Sequence, residues 1–294
     1  MPLPAISGMN SFVLFFALPC LLFRFGSGTP ITQLLDWNVV LVYMLCAMVM
    51  VGFTIAITKG SAGSRMGWRD ASFGALVAAF PNTGFMGVPL LVALLGTKAA
   101  GPVIQTIMVD MLVTSSLCIA LSQLDGAQEN GFIQAVKNSL KGVLTNPMPW
   151  AILLGALFSA TDMVLAKPVA VTVGLLADAA SPVALFTIGA VLARSDMNIH
   201  EKVPLQDYMP IALLKLFLHP LLVLLLGLAA KQLGALLNKD ALTVLVLAAA
   251  LPSASNVSLL AERMGANNGR IARIILLSTF LAFFTFSGAV ALLR

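Results

Sequence analysis

Charged residues are scarce in this chain. They make up 10% of its 294 residues, whereas hydrophobic residues make up 59%. Water-soluble domains carry about 25% charged residues, so this composition excludes a soluble globular fold. Histidine is also rare, with two residues, and the three cysteines, Cys20, Cys46 and Cys118, stand far apart. Such spacing suits neither a disulfide framework nor a metal site, and we expect no bound metal or cofactor.

Long apolar runs dominate the chain instead. Nine of them reach about 20 residues, the length at which an α-helix crosses ~30 Å of hydrocarbon. The sequence therefore predicts an all-α, polytopic membrane protein whose helices are surrounded by lipid. The predicted spans are 5–24, 38–58, 71–95, 102–124, 148–166, 169–193, 209–230, 241–262 and 270–293.

The 17 basic residues are spread over short loops rather than clustered on one face, which argues against a nucleic-acid partner. With a cytoplasmic N-terminus, ten of them flank the spans on the cytoplasmic side and six on the other side. This bias agrees with the positive-inside rule. We therefore expect the polar segment 125–147 to be a cytoplasmic connector.

The two halves of the chain share landmarks at similar separations. Pro19, Pro81 and Gly96 in the first half are matched by Pro182, Pro252 and Gly265 in the second. The repeat period is five helices, an odd number, so the second copy is inverted in the membrane. We predict a first repeat at 1–124 with four helices and a second at 148–294 with five. The first repeat lacks its opening helix, which a misassigned start codon, a truncated chain or a genuine loss would each explain.

Two predicted spans are interrupted by proline beside small polar residues. Proline removes a backbone donor and blocks the carbonyl one turn back, so each break leaves unpaired backbone groups at membrane depth. Half-helix N-termini attract carboxylates, and hydroxyl and amide side chains add donors and acceptors. Such breaks at matching places in two repeats indicate the substrate site of a secondary transporter; kinks that only pack helices together are the alternative. The predicted substrate-binding residues are Pro81, Asn82, Thr83, Gly84, Pro252, Ser253, Ser255 and Asn256.

Three ionisable residues in the predicted spans are candidates for ion coupling or charge pairing. Asp110 is either a site for a coupling proton or cation, such as sodium, or a structural acid. Lys215 either attracts an anionic substrate, pairs with an acid such as Asp110 in place of a cation, or extends its ammonium group to the interface. Asp178 is either the cap of a helix break or a coupling acid.

Several motifs resemble those of the auxin efflux carrier family, which includes plant auxin exporters and bacterial carriers of malonate and other organic acids. They are Ala17-Leu18-Pro19, the run PNTGFMGVPLL from Pro81, Leu176-Ala177-Asp178-Ala179-Ala180, and Ala250-Leu251-Pro252. The resemblance extends from the family's second helix to its tenth. The chain departs from the family in its missing first helix, its short central loop and its second break.

The resemblance implies that the two broken helices cross near the membrane centre and that a small organic anion binds against them. It also implies a scaffold of the family's first, second, sixth and seventh helices, through which a homodimer forms, and a moving bundle of the other six. Malonate or another carboxylate is the implied substrate, carried by alternating access across the bacterial plasma (inner) membrane.

Two other classes of function are compatible with the sequence. The nearer alternative is a sodium- or proton-coupled symporter or antiporter of related architecture with a different substrate. The other is a membrane sensor without transport. An intramembrane enzyme needs a catalytic pair, and neither His200 nor His219 has such a partner in the sequence. We therefore expect no catalytic residues and no enzyme activity.

Overall fold

A computed structural model of the chain describes residues 3–30, 36–60, 66–126, 144, 147–197 and 203–293. These residues are almost entirely helical. The α-helices are α1 (Leu3–Phe12), α2 (Leu18–Gly28), α3 (Trp37–Gly60), α4 (Trp68–Ala79), α5 (Val88–Leu95), α6 (Ala100–Val109), α7 (Ser115–Ser122), α8 (Pro147–Ala160), α9 (Lys167–Met197), α10 (Leu205–Leu213), α11 (His219–Gln232), α12 (Lys239–Ala249), α13 (Asn256–Arg263) and α14 (Asn268–Leu293).

Four five-residue π-helical turns continue or precede these helices. They are Val13–Ala17, Thr83–Gly87, Asp110–Thr114 and Leu214–Leu218. A π turn pushes one extra residue out of the helical ladder, and such bulges are frequent at functional sites. Asp110 and Lys215, two of the predicted coupling or charge-pairing residues, both lie in π turns.

Among the described residues, five continuous helical stretches are long and apolar enough to cross a membrane: Ala5–Gly28, Trp37–Gly60, Ala100–Asp125, Leu205–Gln232 and Asn268–Leu293. They agree with the prediction of an all-α membrane protein. The predicted spans 71–95 and 241–262 are each split in two at their prolines, into α4 with α5 and α12 with α13. Predicted spans 148–166 and 169–193 correspond to α8 and α9. Of the predicted connector 125–147, residues 127–143 and 145–146 lie outside the described residues, as does His200.

The outward face of α3 shows how a membrane helix is organised. Its exposed side chains are large and apolar, among them Leu41, Leu45 and Met48, whereas Tyr43 and Cys46 are fully buried. Because lipid is as apolar as a protein core, the polar groups of such a helix turn towards its protein neighbours.

The helices fall into two groups by their contacts. Helix α2 packs chiefly on α8 and α9, and Gly26 and Gly155 lie at the contact between α2 and α8 with no room for a side chain on Gly155. The other group contains α3 to α7 and α10 to α14, in which α3 packs on α4 and α10 on α14. The broken helices belong to this second group.

Polar bonds at one end of the second group position the start of α4. The Asp125 carboxylate accepts hydrogen bonds from the backbone N–H groups of Trp68 and Arg69, at 2.8 and 2.9 Å. Arg270 is buried and donates to the carbonyl oxygens of Asp70 and Asp207, at 3.0 and 2.8 Å. These bonds join the beginnings of α4, α10 and α14, so the first half of a broken helix is held in place from its outer end.

Candidate functional site

The two proline breaks lie against each other. The backbone N–H of Asn82 donates to the Pro252 carbonyl oxygen over 2.8 Å, and that of Ala254 donates to the Phe80 carbonyl oxygen over 2.9 Å. Pro81 and Ser253 between them form an isolated antiparallel bridge. The expectation of unpaired backbone groups at the breaks is therefore corrected at these positions, because each break supplies donors and acceptors to the other.

Two half-helices start again just beyond this crossing. The Asn82 carbonyl oxygen accepts from the N–H groups of Met86 and Gly87, at 3.0 and 3.1 Å, and so begins the π turn that leads into α5. Helix α13 begins at Asn256, two residues after Ala254. The N-termini of both second halves therefore lie at the crossing, and each carries partial positive charge from its backbone N–H groups.

The predicted substrate-binding side chains gather at the crossing and are almost all buried. Gly84 is the half-buried exception, and a Cβ atom added there would meet open space. Among the described residues, the hydroxyl groups of Ser253 and Ser255 have no hydrogen-bond partner, although both side chains are at most 1% exposed. A buried hydroxyl without a partner costs about 1–3 kcal/mol, so these two groups favour a ligand that bonds them.

A second polar group lies beside the crossing and is built on Asp110. Its carboxylate accepts hydrogen bonds from the Tyr43 hydroxyl at 3.0 Å and from the Thr114 hydroxyl at 3.2 Å. Asp110 and Tyr43 are fully buried, so these bonds replace water around the carboxylate. The acid is thus held by α3 on one side and by its own π turn on the other.

Lys215 completes this buried polar cluster, which we define as Tyr43, Asp110, Thr114, Lys215 and His219. The Lys215 Nζ lies 2.8 Å from His219 Nδ1 and donates to the Ala249 carbonyl oxygen at 2.8 Å. Lys215 and Asp110 also attract each other electrostatically. Ala249 is the last residue of α12, so the ammonium group sits at the C-terminal end of a half-helix, where the dipole favours positive charge.

Comparison with known proteins decides the family. A sequence model of the family described as "Membrane transport protein", that of the auxin efflux carriers, matches residues 2–290. The chain belongs to this family. It is an integral membrane transporter.

Three relatives show how far the similarity reaches. A Rhizobium meliloti (strain 1021) protein named "Putative malonate transporter" is 27% identical over the whole chain and 88% of its own length. The Escherichia coli (strain K12) "Uncharacterized transporter YfdV" is 27% identical over 66% of this chain and 59% of its own. "Auxin efflux carrier component 4" of Arabidopsis thaliana is 29% identical over 42% of this chain and 19% of its own.

The second predicted acid lies elsewhere in the structure. Asp178 is exposed on α9, and its carboxylate pairs with the Arg24 guanidinium of α2 at 2.7 Å. Helix α9 continues through Pro182, so Asp178 has no helix break to cap. The structure gives this acid a charge partner within the first group of helices and does not bring it to the polar cluster.

Lys215 also differs from one of its predicted alternatives. Its side chain is fully buried and bonds inside the protein, so it does not extend to the interface. The ammonium and the Asp110 carboxylate attract each other, but each is hydrogen-bonded to other groups.

Sequence reasoning missed several residues that contact the site. Tyr43 stands 67 positions from Asp110 and carries no local signal beyond a hydroxyl within an apolar span. Thr114 lies one helical turn from Asp110, a spacing that identifies it as a neighbour. Ser278 of α14 accepts from the backbone N–H of Ser253 at 3.2 Å, and nothing in its local sequence indicates this contact.

Proposed function

We propose that this transporter is a secondary carrier of a small organic anion, such as malonate or another carboxylate. The crossing carries the proposal, since two half-helix N-termini begin there beside buried serine hydroxyls that lack a partner among the described residues. Carboxylates bind at helix N-termini and accept hydrogen bonds from hydroxyl groups. The name of the Rhizobium relative supports the same substrate class.

We propose alternating access as the mechanism. Helices α2, α8 and α9 form the scaffold with α1, and the remaining helices form a bundle that carries the crossing past it. The separate contacts of the two groups support this division. Nine spans in two inverted repeats account for the matching breaks of α4–α5 and α12–α13. The lipid-facing surface of the scaffold is the proposed site of homodimerisation.

The buried polar cluster supports coupling to a proton or sodium ion as a second candidate property. Asp110 is an acid at membrane depth with a defined set of partners, and Lys215 joins it to the end of α12. A change in the charge of Asp110, or the binding of a cation to it, would therefore affect the crossing beside it. A coupled symporter or antiporter of another substrate would use the same cluster.

The anion proposal is tested with purified protein. Thermal-shift screening against mono- and dicarboxylates, sugars and indole acids identifies the ligand class, and malonate uptake into proteoliposomes measures transport. Asn82→Ala and Asn256→Ala each remove a side-chain donor and acceptor at the crossing, and we expect each to lower uptake at least about tenfold, equivalent to about 1.4 kcal/mol. Asn38→Ala, at the start of α3, is the matched control and keeps uptake.

Two results would contradict the proposal. Stabilisation by neutral or cationic compounds alone would exclude an organic anion. Unchanged ligand binding in both Asn82→Ala and Asn256→Ala would instead favour a sensor whose crossing is structural.

A further inference from the structure

A narrow cavity leads from the crossing to the end of α13 that carries Arg263. Its wall is mainly apolar, with polar groups at its two ends. The residues that define its course are Phe15, Phe80, Ser115, Asn256, Leu260 and Arg263. Asn256 lies at the inner end, beside the crossing, and Arg263 lies at the exposed outer end. At 1.5 Å per residue, α13 separates these two residues by about 10 Å along its axis.

The cavity has a volume of only about 30 Å³. A single water needs roughly 10–15 Å³ by the same measure, so the space suits one or two waters and excludes a carboxylate of several carbons. The path between Arg263 and Asn256 is therefore closed in this conformation. For an anion to reach the crossing by this route, its walls have to separate.

The contact that closes the outer end joins the two groups of helices. The guanidinium carbon of Arg263 lies 5.3 Å from the centre of the Phe15 ring, within the range of a cation–π interaction. Phe15 belongs to the π turn Val13–Ala17 between α1 and α2, whereas Arg263 ends the half-helix that starts at the crossing. Movement of the bundle against the scaffold would break this contact.

The chemistry of Arg263 suits an incoming anion. A guanidinium group binds a carboxylate through two parallel hydrogen bonds, a pairing stronger than its contact with an aromatic ring. Among the described residues Arg263 forms no ion pair, so its charge is not already neutralised by a protein carboxylate. Arg263 ends α13, and the cavity lies between it and Asn256 at the other end of the same helix.

We propose that Arg263 is the entry residue for the anion at this end of the protein, and that its contact with Phe15 is the closed position of a gate. An arriving carboxylate replaces the Phe15 ring on the guanidinium group. The carboxylate then passes along α13 to Asn256 and the crossing. The inference rests on the proposed function, since it assigns a residue to the substrate path of the same carrier.

Malonate transport kinetics test the anion role. Arg263→Gln removes the charge, and we expect KM for malonate to rise about tenfold or more with a much smaller change in kcat. Arg263→Lys keeps the charge without the planar fork and gives an intermediate KM. Arg24→Gln, an exposed arginine on the scaffold, is the control and leaves KM unchanged. Binding of malonamide, which is uncharged, does not respond to Arg263→Gln.

The gate has a separate readout that does not depend on transport. Leu260 lines the cavity, so in a chain without its three native cysteines Leu260→Cys reports access to a membrane-impermeant thiol reagent. Phe15→Leu keeps an apolar side chain but removes the ring, and we expect modification of Leu260→Cys to accelerate several-fold.

The results separate the two proposals. If wild type takes up malonate and Asn256→Ala abolishes uptake while Arg263→Gln keeps its KM, the entry role is wrong and the carrier function stands. If Phe15→Leu leaves the modification rate unchanged, the contact is not a gate. If wild type neither binds nor transports any carboxylate, the carrier function fails and the role of Arg263 fails with it.

Discussion

A single buried lysine shows how much one residue contributes to this protein. An ammonium group in an apolar interior costs many kcal/mol unless it is hydrogen-bonded and paired. Lys215 meets this requirement through the Ala249 carbonyl oxygen, His219 Nδ1 and the nearby Asp110. When Lys215 is charged its ammonium group only donates, so His219 Nδ1 is then the acceptor of the bond between them. The residue thereby joins the end of a broken helix to the acid proposed for coupling.

At the same scale, Asp110→Asn separates a coupling role from a structural one. The two hydroxyls bond different oxygens of the carboxylate, so the amide keeps an acceptor for one of them, offers an NH2 donor to the other, and loses the negative charge. A tenfold gradient of the coupled ion stores about 1.4 kcal/mol. When one ion moves with each malonate, this free energy supports at most about a tenfold accumulation of malonate. We expect Asp110→Asn to abolish malonate accumulation driven by a sodium or proton gradient in proteoliposomes, while downhill flux continues.

Asp178→Asn is the matched control for this measurement. Its carboxylate is exposed and pairs with Arg24 on the scaffold, so the variant keeps gradient-driven accumulation. Equal accumulation in Asp110→Asn and wild type would assign Asp110 a structural role.

The contact between α2 and α8 depends on glycine. A Cβ atom at Gly155 of α8 would lie 2.6 Å from the Phe23 carbonyl oxygen and 3.0 Å from Gly26 Cα of α2. In membranes, where burial supplies little force between helices, such small-residue crossings allow the backbones to pack closely. The Phe23 and Phe158 rings, with centroids 5.2 Å apart, pack edge to face at the same contact between α2 and α8.

Gly155→Ala tests this element contact. The added methyl meets backbone atoms that cannot turn away, so α2 and α8 have to separate, and we expect a loss of about 1–3 kcal/mol of stability. Gly174→Ala in α9 is the control, since a Cβ atom there meets no atom within 4 Å. Thermal unfolding of the purified variants gives the comparison. A similar unfolding temperature for Gly155→Ala and wild type would show that α2 and α8 can separate at this contact without a loss of stability.

The described part of the molecule consists of two groups of helices, which contact each other at Phe15 and also where α9 packs on α14. One group is held by the α2–α8 crossing and the Arg24–Asp178 pair. The other is held by the paired proline breaks, by the polar cluster and by Arg270 at its end. Because each group has its own internal bonds, alternating access as a rigid-body movement requires breaking few contacts within either group.

Cross-linking tests that movement. In a chain without native cysteines, a short bifunctional thiol reagent joining Phe15→Cys to Leu260→Cys ties the scaffold to the bundle across the cavity that both residues line. We expect malonate uptake to stop and to return when the link is reduced. A link between Phe23→Cys and Phe158→Cys, within the scaffold, is the control and permits uptake. Continued uptake with the first pair linked would contradict a rigid movement of the two groups.

The positions of the breaks were predictable, because proline acts on its own backbone and on the turn before it. Helix α4 ends two residues before Pro81, and α12 ends three residues before Pro252, the prolines that interrupt their spans. The partners of the breaks were not predictable from the residues themselves. Asn82 and Pro252 are far apart in sequence, and local pattern carries no record of their hydrogen bond. The crossing itself was expected only from the family resemblance.

The polar cluster likewise contains some contacts that were predictable from the sequence and others that were not. Helical spacing already places His219 one turn from Lys215 and Thr114 one turn from Asp110. Tyr43 and the Ala249 carbonyl oxygen come from other helices, so only packing brings them to these residues. The same holds for Arg263, whose importance depends on a cavity formed by the π turn Val13–Ala17, α13 and their neighbours.

The sequence by itself determined membrane residence, helical structure and the sites at which two helices break. These properties follow from the hydropathy of each stretch and from the local chemistry of proline. Only the tertiary structure decided that the two breaks satisfy each other's backbone, that Lys215 bonds the end of α12, and that Arg263 covers a closed path to the crossing. Each of these depends on how distant segments pack, and packing is a property of the whole chain.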